Sequence, residues 1–127
     1  VYSLQYHLVW CTKYRKQLLK NGLDIECKRM LYELAEEYRF QILAIEVMPD
    51  HIHLLLDCKP QFFISDMIKI MKGNLARQLF LSHPELKQEL WGGHLWNPSY
   101  CAVTVSDRSR EQVLAYIEGQ KEKEKRK

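Results

Sequence analysis

Two histidines one residue apart, His51-Ile52-His53, and a tyrosine followed four residues later by a glutamine, Tyr116 and Gln120, are spaced for chemistry. In a strand, residues two apart leave the same face, so His51 and His53 can converge on one divalent cation while Ile52 enters the core. On a helix, residues four apart share a face, so Tyr116 and Gln120 project together. A glutamine oxygen is a hard third ligand, and a tyrosine one turn earlier lies beside the same cation. Each half also has a plainer reading: two half-exposed strand histidines, a packing tyrosine, a solvated glutamine. Gly119 weakens a helix there by about 1 kcal/mol relative to alanine. That cost suits a helix end that moves or approaches another backbone.

Together these types suit attack on a phosphodiester. The diester resists nucleophiles because it is anionic, and a divalent cation on a non-bridging oxygen withdraws charge and orients phosphorus. A phenol yields its phenolate with modest electrostatic help, and it is also a good leaving group in the reverse direction. Attack by tyrosine conserves bond energy in a covalent phosphotyrosine, so another strand end can be rejoined; attack by water loses it. Neutral His and Gln ligands leave most of the cation's charge for the phosphate. Oxygen from Gln, phosphate and water suits Mg2+ or Mn2+, while two imidazoles also accept zinc, cobalt or nickel.

The elements that must position these groups are legible in the hydrophobic pattern. Tyr2 to Thr12 alternates with Leu4, Tyr6, Leu8 and Trp10 on one side and reads as a strand. Leu23 to Tyr38 has a helical period in Leu23, Cys27, Met30, Leu31, Leu34 and Tyr38. Phe40–Val47 and His51–Cys58 read as strands joined by the turn Met48-Pro49-Asp50, a hairpin. Ile64–Leu81 is a second amphipathic helix, Trp91-Gly92-Gly93 a bend, and Trp96–Val105 a last strand region locally limited by Pro98. A third helix can begin within Ser106–Ser109, with Val113, Leu114 and Ile117 apolar. The order β-α-β-β-α-β is that of an α+β, ferredoxin-like (split βαβ, RRM-like) antiparallel sheet with two helices on one face. The extra C-terminal helix follows it.

Composition bounds the alternatives. At 127 residues, 46% of them hydrophobic, the chain reads as one folded domain over 1–120, with a charged tail over 121–127. The tyrosine helix is expected at about 107–120. The tail carries a net charge of +3, and without it 14 basic residues balance 14 acidic ones. Any phosphate-binding surface must therefore come from clustering. No apolar run approaches the roughly 18–20 residues that span a bilayer. Four cysteines without a C-x-x-C pair, and no charged-then-apolar leader at Val1, read as reduced thiols in a cytoplasmic protein.

Met48-Pro49-Asp50-His51-Ile52-His53-Leu54-Leu55 resembles the histidine–hydrophobe–histidine (HUH) motif of single-tyrosine transposases, the insertion sequence 200/605 (IS200/IS605) family. Tyr6 to Arg15, Met71 to Arg77, Trp96 to Tyr100 and Tyr116 to Gln120 agree with the family in order, across almost the whole chain. Cys101 departs from an expected aromatic residue without touching the chemistry. The resemblance implies a ferredoxin-like core, Tyr116 as nucleophile, and His51, His53 and Gln120 as metal ligands. It implies single-stranded DNA hairpins at transposon ends as substrate, cleavage through a 5′-phosphotyrosine that leaves a 3′-hydroxyl, and rejoining of ends. An obligate homodimer is implied, in which one subunit's tyrosine helix can complete the other's site, in a prokaryotic, DNA-associated protein.

Other residues carry two readings each. Lys13, Arg15 and Lys16 can grip hairpin phosphates or form a solvated loop; Lys69, Lys72 and Arg77 lie off the apolar face of the second helix and can contact DNA. Gly73 can admit a backbone or base, or be a tolerated helix glycine. His7 reads as a sheet histidine before a third imidazole ligand, and His83 and His94 are assigned nothing. Tyr14 and Tyr100 lack a ligand-type partner one turn away. Trp91 and Trp96 can stack bases, though core or dimer packing is the plainer role. A rival class is a non-catalytic RRM-like module that holds single strands by stacking. Its Gly-Phe signature is absent from the strand that holds His51 and His53. A domesticated relative acting on chromosomal palindromic repeats would share the chemistry.

Overall fold

Strand β1 (Leu4–Cys11) sends Leu8 and Trp10 into the core and His7 and Val9 to the opposite face, as period-two alternation requires. The computed structural model describes residues 4–59, 63–106 and 108–120. Helix α1 (Leu23–Tyr38) buries Cys27, Met30, Leu31, Leu34 and Ala35, a stripe at helical spacing. It begins after Gly22 (φ 96°) and ends at Arg39 (φ 59°), whose N–H bonds the Ala35 carbonyl. Strands β2 (Gln41–Met48) and β3 (His51–Cys58) form the expected hairpin around Pro49 and Asp50. Helix α2 (Ile64–Ser82) buries Met67, Ile68, Met71, Leu75 and Leu79.

Strand β4 (Cys101–Thr104) and helix α3 (Arg110–Glu118) complete the chain. The sheet order is β2-β3-β1-β4 with every neighbour antiparallel, the split βαβ topology. One core forms where Leu8, Trp10, Ile52, Leu54 and Leu56 meet the buried stripes of α1 and α2. Helix α3 lies on the other face. There Ile117 packs with Ala44 and Leu55, flanked by Leu43, Val113 and Leu114. A register shift between Ile42 and Ala44 makes this seat, because the extra residue lets Leu43 and Ala44 both serve the α3 side.

The last strand is shorter than the pattern suggests. Trp96 makes only an isolated bridge to Thr12, and its ring is buried against Trp10 at 6.0 Å with its N–H on the Lys72 carbonyl. Trp96 is thus a core residue, not a base-stacking platform. Asn97 then bonds Ser99 locally, and Pro98 cannot donate, so ladder pairing resumes only at Cys101. Likewise Ser106 and Ser109 bond one another in a turn, and helical structure starts at Arg110. A segment of 3-10 helix, Pro84–Glu89, was not evident in the sequence pattern. Among the described residues no helix is long and apolar enough to cross a membrane, and the four cysteines are unpaired.

Candidate active site

The face of the sheet opposite α1 and α2 gathers the candidate residues. Cross-strand register sets His53 against Val9 and His51 against Cys11, so His7, two residues before Val9, neighbours His53 diagonally. The His51 and His53 rings lie 4.7 Å apart, centroid to centroid, and His7 stacks on His53 at 5.5 Å. Helix α3 brings Tyr116 edge-on to His53 at 5.4 Å and to His7 at 6.1 Å. Residues more than 60 positions apart in sequence thus meet at one place. Tyr116 is 45% exposed while His53 is only 5% exposed, an accessible phenol over a buried imidazole.

Hydrogen bonds fix the rings. His51 Nδ1 donates to Asp50 Oδ1 at 2.6 Å, and His53 Nδ1 pairs with His7 Nε2 at 3.3 Å. With both Nδ1 atoms occupied, each Nε2 remains for a ligand; neither makes a hydrogen bond among the described residues. Burial, then the neighbouring His51 and His7, press the His53 pKa down to about 4. Burial lowers that of His7 as well. Neutral imidazole is the form that binds a metal. For Asp50, burial opposes ionisation, but the hydrogen bond and charge of His51 and the nearby Arg15 outweigh it and hold the carboxyl below its usual range.

This donor set fits a metal in part. Among the described residues no group of three His, Cys, Asp or Glu side chains is placed to hold one. His51 and His53 supply two nitrogens, and Gln120 is the remaining protein candidate. The Gln120 amide donates instead to the Tyr116 carbonyl at 3.3 Å, folded back on its own helix. It makes no described contact with either imidazole. Gly119 has ordinary right-handed backbone, and its neighbours are the Ala115 and Tyr116 carbonyls of its own helix. The close approach to another backbone that its presence suggested is not found among the described residues.

Of the expected phosphate contacts, Lys13, Lys69 and Lys72 line a groove of about 690 Å³ between α2 and residues 93–100. Its floor includes Ile68, Ala76, Leu95 and Trp96. Gly73 lies in this wall, and a Cβ there would meet nothing within 4 Å, so packing does not demand glycine. Lys72 also donates to the Asn97 carbonyl at 2.8 Å, and its partial burial lowers its pKa. Three further cations are turned to internal partners: Arg15 to Asp50, Lys16 to the Glu89 carbonyl, and Arg77 to Asn74.

Two residues of the site were not singled out by their sequence context. His7 reads as an ordinary sheet histidine until strand pairing sets it beside His53. Asp50 reads as a turn former, yet its carboxylate holds a ring of the His pair. Its position immediately before His51 was the available signal.

Comparison with known proteins gives the lineage. The family model for IS200-like transposases matches residues 1–120. The ISDra2 transposase TnpA of Deinococcus radiodurans is 49% identical over 124 residues, covering 98% of this chain and 89% of that protein. The transposase for insertion sequence element IS200 of Salmonella typhimurium is 28% identical over 124 residues, covering 98% and 81%. A crystal structure from Deinococcus radiodurans R1, of a protein provisionally assigned as a transposase, superposes with a TM-score of 0.78 at 49% identity. It covers 94% of this chain and 92% of that one. A REP-associated tyrosine transposase, solved bound to a REP hairpin, has a TM-score of 0.73 at 15% identity, covering 98% and 70%, a likeness of fold. The chain belongs to the IS200-like, single-tyrosine family of DNA transposases.

Proposed function

We propose that the protein cuts and rejoins single-stranded DNA at transposon-end hairpins, with Tyr116 as nucleophile and His51 and His53 as ligands of Mg2+ or Mn2+. The observation that carries this reading is the edge-on placement of Tyr116 over His53, with His51 alongside. The Tyr116 oxygen bonds to phosphorus as the bond from phosphorus to the 3′-oxygen breaks. The products are a 5′-phosphotyrosine and a 3′-hydroxyl, and attack by another 3′-hydroxyl restores a diester and frees the phenol. A bound divalent cation supplies charge withdrawal and orientation at the scissile phosphate. His51 and His53 would hold such a cation through Nε2, with Gln120 as a third ligand once its amide leaves the Tyr116 carbonyl.

Lys13 and Lys69 grip the DNA along their groove, joined by Lys72 on releasing the Asn97 carbonyl, where apolar floor and basic rim suit an unpaired strand. Lys16 and Arg77 contribute as phosphate contacts only by exchanging their internal partners, and Arg15 is committed to Asp50. The protein acts on DNA as a homodimer, a reading supported by the family resemblance and by an edge strand, β4, whose four residues are all exposed. The hairpin seen with the distant REP-associated structure supports the substrate class. A stacking module without chemistry is disfavoured, because the sheet face it would use carries the histidines and is covered in part by α3.

Incubating the protein with a fluorescent hairpin oligonucleotide and Mn2+ tests this. A DNA–protein adduct that survives denaturing electrophoresis, and does not form when the metal is chelated beforehand, supports it. Tight hairpin binding without an adduct contradicts it.

A further inference from the structure

Asp50 is bonded through more of its atoms than a turn residue needs. Its carbonyl accepts from the Thr12 N–H at 2.9 Å and from Thr12 Oγ1 at 3.3 Å. One carboxylate oxygen, Oδ2, accepts from Arg15 Nε at 3.3 Å and lies 3.3 Å from a second guanidinium nitrogen. The other, Oδ1, accepts from His51 Nδ1 at 2.6 Å. On the far side, the turn that presents Arg15 has two consecutive non-glycine residues in the left-handed region, Tyr14 (φ 58°) and Arg15 (φ 52°). Such backbone is costly and persists where surroundings over-determine it. Here Thr12 supplies the restraint: its hydroxyl donates to the Lys16 carbonyl at 2.7 Å, and its carbonyl accepts the Arg15 N–H at 3.0 Å. Thr12 is fully buried.

We propose that Asp50 is the positioning residue of His51, and that Arg15 acts through Asp50 rather than on a DNA phosphate. The reading rests on His51 being a metal ligand. A carboxylate accepting from Nδ1 fixes the imidazole tautomer, aims Nε2 outward and raises its basicity as a donor. Arg15 holds the second carboxylate oxygen so that Asp50 cannot rotate away from the ring. The basic turn after β1 and the metal half-site on β3 are therefore one unit, joined through Asp50. The exposed Arg15–Asp50 pair is the weaker link, since such pairs contribute little in water.

Titration of Mn2+ into the DNA-free full chain by calorimetry, with 15N NMR of the His51 ring, separates the outcomes. Asp50→Asn is expected to weaken Mn2+ binding roughly 10- to 100-fold and to convert a single Nδ1–H tautomer into a mixture. Its hairpin affinity should stay within about twofold. Arg15→Gln is expected to weaken Mn2+ binding a few-fold and to leave the salt dependence of hairpin binding unchanged. Unaltered Mn2+ affinity and ring signals in Asp50→Asn overturn the proposal. So does an Nε2–H tautomer in the metal-free wild type, a measurement that needs no variant to fold. A salt slope reduced by about one phosphate contact in Arg15→Gln overturns the part given to Arg15. If the wild type itself binds no Mn2+, the metal reading fails and this proposal with it; wild-type binding with an indifferent Asp50→Asn sinks this proposal alone.

Discussion

Tyr116 meets His53 edge-on at 5.4 Å while Ile117, the next residue, is fully buried against the sheet. The proposed nucleophile and the anchor of its helix are therefore adjacent in sequence and point different ways. Helix α3 has only nine residues and buries only Ile117 completely, so docking on the sheet, not intrinsic helicity, must hold it. Among the described residues, Ile117 and its half-buried neighbours Val113 and Leu114 carry the apolar docking of this helix.

Ile117→Ala is expected to cost about 2–5 kcal/mol if α3 stays docked around a cavity. If α3 lifts away instead, the loss is limited to its docking energy and appears as faster amide exchange within residues 110–118. In either case adduct formation should fall at least tenfold with hairpin affinity nearly kept. Hydrogen exchange with an adduct assay checks this; an unchanged adduct yield would show that α3 is not held through Ile117.

Lys13→Ala and Lys69→Ala should each weaken hairpin binding and reduce the slope of log affinity against log salt by roughly 0.7–0.9. Both line the groove beside α2. Binding isotherms at four salt concentrations measure it. An unaltered slope in both variants would move the DNA off this groove.

His83 provides a pH test remote from the site. Its Nε2 lies 2.7 Å from Glu26 and its Nδ1 3.3 Å from Glu85, tying the end of α2 to α1. The hydrogen bond that His83 donates to Glu26 leads the causes that raise its pKa, against a smaller opposing effect of burial. A histidine pKa raised on folding gives stability that is complete below the unfolded value, near 6.5, and lost as pH rises through the folded value. His83→Gln should remove that loss, with a difference of roughly 0.2–1 kcal/mol for a pair still open to solvent on one side. His7 and His53, whose pKa values are lowered, act with the opposite sign in acid and cancel in the comparison. Denaturant midpoints for both proteins between pH 5.5 and 8.5 decide it; parallel curves would contradict the pairing.

His51→Ala should reduce cleavage at least 100-fold while hairpin affinity without metal changes less than threefold. Chelation of the wild type should reproduce that loss of cleavage. Equal loss of cleavage and binding would mean that His51 holds the fold or the DNA, not the reacting phosphate.

Much of this arrangement was readable from local pattern. The 3.6-residue stripe of Leu23–Tyr38 and the run His51–Cys58 gave their elements at the observed bounds, because burial on one side leaves a periodic trace. The pairing of His51 with His53, and the inward Ile52, followed from strand alternation. Long-range placement left no such trace. Nothing local says that α3 crosses to the face opposite α1 and α2, since that depends on a bulge between Ile42 and Ala44. The role of His7 depends on β1 pairing with β3, and Trp96 gives up strand pairing to fill the core beside Trp10. Helical spacing placed Tyr116 and Gln120 on one face, but a folded-back amide is a rotamer choice that spacing does not encode.

The most direct test is to identify the residue that carries DNA. After reaction of the full chain with a hairpin substrate and Mn2+, nuclease and protease digestion followed by mass spectrometry locates the covalent nucleotide. The expected result is one modified peptide, with the 5′-phosphate on Tyr116, and none from Tyr116→Phe. A nucleotide on Tyr14 or Tyr100, or an undiminished adduct in Tyr116→Phe, would contradict the assignment of Tyr116 as nucleophile.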